Sequence, residues 1–211
     1  YGIDIINAGI GGDTTNTAKV RFQSAVLNRQ PDIVFISLGT NDCSLDMPRC
    51  VPLDTYKANM AYFIDECQRI GARVVVNIPT PVVDEQYLTR HKSEPFEPYG
   101  GPNGIVTVYA DAAREVAKEK GVAFADLNTY FNSLDGGYEK FFPDGVHPND
   151  TGYKMYASVA IEAYQGLWRG DVNFDQAIDR YDYILVKRVC MKTVELGEKQ
   201  LISADVNGNG N

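Results

Sequence analysis

The sequence predicts an α/β fold with a parallel sheet, because short β-branched runs alternate with longer amphipathic segments and one run, "DIVFISL", is apolar enough to be buried on both faces. The run "IDIIN" (3–7) reads as a strand and "TTNTAKVRFQSAVLN" (14–28) as a helix, followed by the strand "DIVFISL" (32–38). A helix near 54–70 follows, with Tyr56, Met60, Phe63, Ile64 and Cys67 at helical spacing. "RVVVNI" (73–78) is a third strand, "VYADAAREVAKEKG" (108–121) a helix closed by Gly121, and "VAFADL" (122–127) a fourth strand. "TGYKMYASVAIEAY" (151–164) reads as a last helix with Asn149 or Asp150 as its N-cap.

The chain of 211 residues, 44% hydrophobic, is long enough for one sizeable core and a small appendage, or for two small domains. A net charge of -8 argues against a nucleic-acid partner, whose phosphates require a basic surface. No apolar run is long enough for a membrane span, so no membrane partner is expected. The cysteines match no zinc spacing; Cys43 and Cys50 share one loop, as a bridge or as two thiols. Between Pro79 and Asn103 lies a polar segment rich in Pro, Gly and Tyr, a length more typical of functional or mobile loops than of structural ones. His91 lies there and reads as a solvated loop residue, since no carboxylate stands at a recognisable spacing from it.

Three motifs fall after strands, on the edge of an open α/β sheet where active sites form. They are "NAGIGGDTT" (7–15), "LGTND" (38–42) and "PDGVHPND" (143–150). Each is a common loop pattern alone; their shared edge and order carry the information. Together they suggest acyl transfer. Asp144 stands three residues before His147 in a Pro-bounded loop, where a carboxylate can hold Nδ1 while Nε2 faces a substrate. The backbone N–H of Gly12 and the side-chain amide of Asn41 can supply an oxyanion hole, where one lost donor costs about 3 kcal/mol, roughly a hundredfold in rate.

These residues resemble the SGNH or GDSL-type hydrolases. Gly12 matches the family's oxyanion Gly, Gly39, Asn41 and Asp42 its Gly-x-Asn-Asp block, and Asp144 and His147 its Asp-x-x-His block. The resemblance covers about residues 1 to 164 and implies a flavodoxin-like three-layer α/β/α sandwich of strand order 2-1-3-4-5, with ester hydrolysis through a serine acyl-enzyme and no catalytic cofactor. The family's Gly-Asp-Ser block, which holds the nucleophile, does not occur. Ser24, Ser37, Ser44, Ser93, Ser133, Ser158 and Ser203 all lie in other contexts. The block and its strand are expected upstream of Tyr1, and residues 1–211 alone are expected to be inactive.

From residue 170 the character changes. "DVNFDQAIDRYD" places Asp171, Asn173 and Asp175 at loop positions 1, 3 and 5, the carbonyl of Ala177 at 7, Asp179 at 9 and Asp182 at 12, an oxygen set suited to calcium. "ADVNGNGN" restarts the pattern with Asp205, Asn207 and Asn209, an internal repeat of about 34 residues. The segment is similar to a dockerin, the duplicated calcium-loop module that binds a cohesin domain of a scaffold protein. Gln176 departs from the usual Gly at position 6, a strain of about 1 kcal/mol. The division expected is a hydrolase domain over 1–164, a linker over 165–170 and a dockerin over 171–211. The implied protein is a secreted, cellulosome-attached esterase acting on acetylated plant cell-wall polysaccharide or another small ester. A non-catalytic binding component on the same fold and a lipase or thioesterase are the alternatives.

Overall fold

The computed structural model describes residues 4–167, 170, 172 and 180–204. It divides into two compact units, Tyr1–Ala160 and Ile161–Asn211. In the first, three short strands form a parallel sheet in the order β1-β2-β3: β1 Ile33–Ile36, β2 Arg73–Asn77 and β3 Ala123–Ala125. Parallel neighbours require crossovers. Helix α2, Leu53–Arg69, joins β1 to β2, and α4, Pro102–Glu119, precedes β3. Helix α1, Thr15–Ala25, comes before β1 and packs against α2.

The alternation of β2 explains the layering. Val74 and Val76 join the main core with Tyr56, Met60, Phe63 and Ile64 of α2 and Ile105, Tyr109 and Val116 of α4. Val75 points to the other face and is fully buried, yet its register partner Phe35 on the edge strand β1 is 45% exposed.

Of the strand expected at 3–7, the described residues 4–7 form none: residues 4–10 make no ladder, and Ile5 is 89% exposed. β-branched composition supplies a propensity only, and a strand exists through its hydrogen-bonded neighbour, which residues 4–7 do not have. Helix α4 starts six residues before its expected first residue. Pro102 at the first turn lacks only an N–H that would have been unpaired, and Asp84 Oδ1 accepts from the Asn103 N–H at 2.6 Å.

The 79–103 segment is built into the fold. It holds the short helix α3, Asp84–Tyr87, and a 3-10 turn at Glu94–Tyr99, and buries Val82, Val83, Tyr87 and Phe96. Helix α5, Leu127–Asn132, lies where the sequence suggests only a strand end; Asp126 caps it through the Thr129 N–H at 3.2 Å. Helix α6, Asp150–Gly166, is capped by Asn149, whose Oδ1 accepts from the Gly152 N–H at 2.9 Å.

In the second unit, α7 is Arg180–Cys190 and α8 is Glu198–Ala204. No described helix is long and apolar enough to cross a membrane.

Candidate active site

The connection between α5 and α6 carries Asp144 and His147. Gly145 sits there at φ +85, and a Cβ on it would lie 2.8 Å from Gln86 Cβ and 2.9 Å from the Tyr87 backbone nitrogen, so only glycine lets this loop seat on α3. Two further ties hold the seat: the Val83 N–H donates to the Gly145 carbonyl at 2.9 Å, and Arg90 Nη2 donates to the Asp144 carbonyl at 2.7 Å. Within the loop, Asp144 Oδ2 and His147 Nδ1 are 2.6 Å apart, while Asp144 Oδ1 accepts from the backbone N–H groups of Val146 and His147 at 2.9 and 2.7 Å. Burial opposes ionisation of Asp144, but these hydrogen bonds, led by the one from His147, outweigh it and hold the carboxyl well below the usual carboxylate range.

Asn41 and Asp42 follow β1. A Cβ on Gly39, at φ +131, would meet Pro79 Cγ at 2.7 Å and the Tyr56 hydroxyl at 2.8 Å, so the turn requires glycine. Asp42 is fully buried, and its Oδ1 accepts from both the backbone N–H and the hydroxyl of Thr15 at the start of α1, at 2.9 and 2.5 Å. Burial raises its carboxyl above the usual value against the pull of these bonds. Asn41 Nδ2 donates to the Asp13 carbonyl at 2.9 Å, which fixes the amide while leaving its second N–H for another acceptor. The two motif loops are thereby tied together beside Gly12, which adopts φ +84.

One cavity of about 440 Å³ joins the three motifs: Gly12, Asn41, Asp144 and His147 all line it. That volume lies in the range of small-molecule sites. Ser37 and Ser44 also line it, but the Ser37 hydroxyl is engaged by Asn77 Nδ2 (2.8 Å) and the Tyr156 hydroxyl (3.1 Å), and that of Ser44 by the Tyr87 hydroxyl (3.4 Å). Neither is hydrogen-bonded to His147, whose side chain is 72% exposed. The cavity therefore holds an imidazole oriented by a carboxylate, with Gly12 and the partly engaged Asn41 amide on its lining, and neither lining serine is bonded to that imidazole.

A family model described as the GDSL-like lipase/acylhydrolase family matches residues 1–155. The chain belongs to that family. Membership places its first unit among the carboxylic ester hydrolases, and a dockerin type I domain follows over residues 169–211. The GDSL-like chain is 32% identical over 182 residues to the uncharacterized lipoprotein YqeF of Bacillus subtilis, covering 81% of this chain and 74% of that one. It is 25% identical over 178 residues to an acetylxylan esterase of Geobacillus stearothermophilus, covering 79% and 74%. The structure of a lipase/acylhydrolase from Enterococcus faecalis superposes with a TM-score of 0.60 at 24% identity, over 72% of this chain and 70% of that one, and shares the fold.

Sequence spacing misjudged His91. Its side chain is 10% exposed, its Nδ1 lies 2.9 Å from Asp46 Oδ1, and its ring stacks on Tyr87 at 4.0 Å and 15°. Asp46 is 45 residues away in sequence, so no short motif reveals the pair; burial opposes ionisation of its carboxyl, but the His91 bond and a second from the Lys92 N–H bring it below the usual range. His91 lines the same cavity as His147. Cys43 and Cys50 are free thiols; Cys43 is buried, which pushes its thiol up.

Dockerin type I domains bind calcium. Asp171, Asn173, Asp175, Ala177, Asp179, Asp205, Asn207 and Asn209 lie outside the described residues, as does Gln176. Asp182 is described: it is 3% exposed at the start of α7, and its Oδ1 accepts from the Val172 N–H at 2.7 Å. A buried carboxylate folded back onto the second loop position suits an oxygen-donor site for a hard cation.

Proposed function

We propose that the chain is the hydrolase and dockerin part of a secreted, cellulosome-attached serine esterase that removes acetyl groups from plant cell-wall polysaccharide. The hydrolase domain occupies 1–164, a linker 165–170 and the dockerin 171–211. The observation that carries this reading is the 2.6 Å bond between Asp144 and His147 in the cavity that Gly12 and Asn41 also line.

In this mechanism a serine from a Gly-Asp-Ser block, absent from these 211 residues, attacks the ester carbonyl and passes its proton to His147 Nε2. Asp144 fixes the tautomer and stabilises the imidazolium. The Gly12 N–H and the Asn41 amide receive the developing oxyanion. His147 then gives the proton to the sugar oxygen as the bond from that oxygen to the acyl carbon breaks, the sugar leaving with a free hydroxyl, and next activates the water that releases acetate and frees the serine. Residues 1–211 alone do not turn over.

In the dockerin, Asp171, Asn173, Asp175, the Ala177 carbonyl, Asp179 and Asp182 would hold one calcium, and Asp205, Asn207 and Asn209 begin a second set. Calcium held by these carboxylates would neutralise them and order the loops that present α7 to a cohesin. The dockerin match and the name of the acetylxylan esterase support an extracellular polysaccharide substrate.

The test is a chain extended to carry Gly-Asp-Ser ahead of Tyr1, assayed on short acetyl esters. Hydrolysis is expected, with His147→Ala lowering kcat by about 10³-fold or more. An extended chain whose activity is unchanged by His147→Ala would overturn the assignment. Absence of hydrolysis in the extended chain, with binding of oligosaccharide retained, would favour a non-catalytic component instead.

A further inference from the structure

The cavity wall that catalysis does not use has its own charge pattern. The carboxylates lining the cavity are engaged. Asp13 Oδ2 accepts from Arg21 Nε at 2.9 Å, and Asp144 is held by His147. The lining arginines are different. Arg49 makes no side-chain hydrogen bond or ion pair among the described residues, and it stands beside the oxyanion position: its Nη1 would lie 4.0 Å from a Cβ built on Gly12. Arg90 spends one donor on the Asp144 carbonyl, a neutral acceptor, and meets no carboxylate among the described residues. Each guanidinium carries five N–H donors, so both retain donors and full charge toward the cavity. His91, with Nδ1 committed to Asp46, keeps Nε2 as its remaining polar atom and lines the same cavity.

We propose that Arg49 and Arg90, with His91 beside them, form a carboxylate subsite that selects acetyl esters on uronate-bearing sugars over those on neutral sugars. A guanidinium binds a carboxylate through two parallel hydrogen bonds, a geometry a neutral hydroxyl does not reproduce. The chain as a whole carries a net charge of -8, so attraction for an acidic sugar has to come from this wall. The subsite deepens the esterase reading by naming the class of sugar that the ester decorates, and it rests on that reading only for the ester.

Equilibrium binding tests it without turnover, so failure of the subsite is distinct from failure of the esterase reading. The 211-residue protein is titrated with galacturonate trimer and, separately, with xylotriose. About tenfold tighter binding of the acidic trimer is expected at low salt, with the preference shrinking as salt screens the exposed arginines. Arg49→Gln is expected to cost the acidic trimer about tenfold and the neutral trimer little, and Arg49→Lys to recover only part of the loss because an ammonium lacks the planar fork. Arg90→Gln is the second variant, read the same way, because Arg90 also braces the Asp144 loop. Equal affinity for the two trimers, no measurable binding of the acidic one, or an acid preference unchanged in both glutamine variants would overturn the proposal.

Discussion

Replacing Gly145 by alanine tests whether close approach to α3 seats the His147 loop. The added Cβ meets Gln86 Cβ at 2.8 Å, the Tyr87 nitrogen at 2.9 Å and the Val83 carbonyl oxygen at 3.1 Å, and two of these are backbone atoms that cannot swing away. An alanine at φ +85 costs about 1–2 kcal/mol in conformation alone. Overlap with a packed neighbour adds about 1–3 kcal/mol. Gly136→Ala separates the two contributions: Gly136 has a similar φ of +76, but its nearest atom is the Lys140 Nζ at 3.9 Å, so it carries the conformational cost without the collision. The difference between the variants therefore isolates the overlap. Urea and thermal unfolding should place Gly145→Ala below Gly136→Ala by about 1–3 kcal/mol, on the order of 2–12 °C for a domain of this size. Equal destabilisation by the two would show that the loop does not depend on seating against α3, and α3 would then not be the brace of His147.

Acid sensitivity should centre on paired carboxylates such as Asp126. Burial opposes its ionisation, but Arg114, bonded to both its oxygens at 2.8 and 2.9 Å, and Thr129 bring the carboxyl below the usual range. A carboxyl lowered by folding contributes stability above its unfolded value of about 3.9, and that contribution is lost as pH falls toward the folded value. Asp126→Asn should flatten the fall in urea midpoint below about pH 4, and an unchanged acid limb would contradict the pairing. In the second unit, calcium at about a hundredfold over its Kd should stabilise the dockerin by about 2.7 kcal/mol, and Asp182→Asn should remove most of that gain. A calcium-independent unfolding midpoint in the unsubstituted protein would exclude Asp182 from a calcium site.

Legibility followed the range of the interactions. The helix at Leu53–Arg69 could be read because its buried side chains recur at the helical period, and Arg73–Asn77 because β-branched residues sit where both faces are covered. The Asp144 and His147 pair could be read because its bond spans three residues. Residues 4–7, within the strand expected at 3–7, form none for the converse reason: composition marks what a segment can do, and pairing, a contact with another segment, decides whether it does. His91 was misjudged because its partner Asp46 is 45 residues away, and Arg49 gave no signal because its importance lies in what it does not touch.

The 79–103 segment shows how this distinction bears on the site. Its Pro, Gly and Tyr content reads as a loop, yet Val83 bonds the Gly145 carbonyl, Arg90 bonds the Asp144 carbonyl and Tyr87 abuts Gly145, so the segment is the wall against which the His147 loop rests. Its anchors are long-range on both sides: Asn128 Nδ2 donates to the Pro79 carbonyl at 3.2 Å and the Tyr138 hydroxyl to the Val82 carbonyl at 3.0 Å. The same stretch that positions the imidazole also carries Arg90 and His91 into the cavity. Sequence change within 79–103 that spares Val83, Tyr87 and Arg90 can therefore alter what the cavity recognises while leaving the Asp144 and His147 bond in place. Thr80 and His91 line the cavity without bonding the Asp144 loop, so they are the positions of the segment where such change acts.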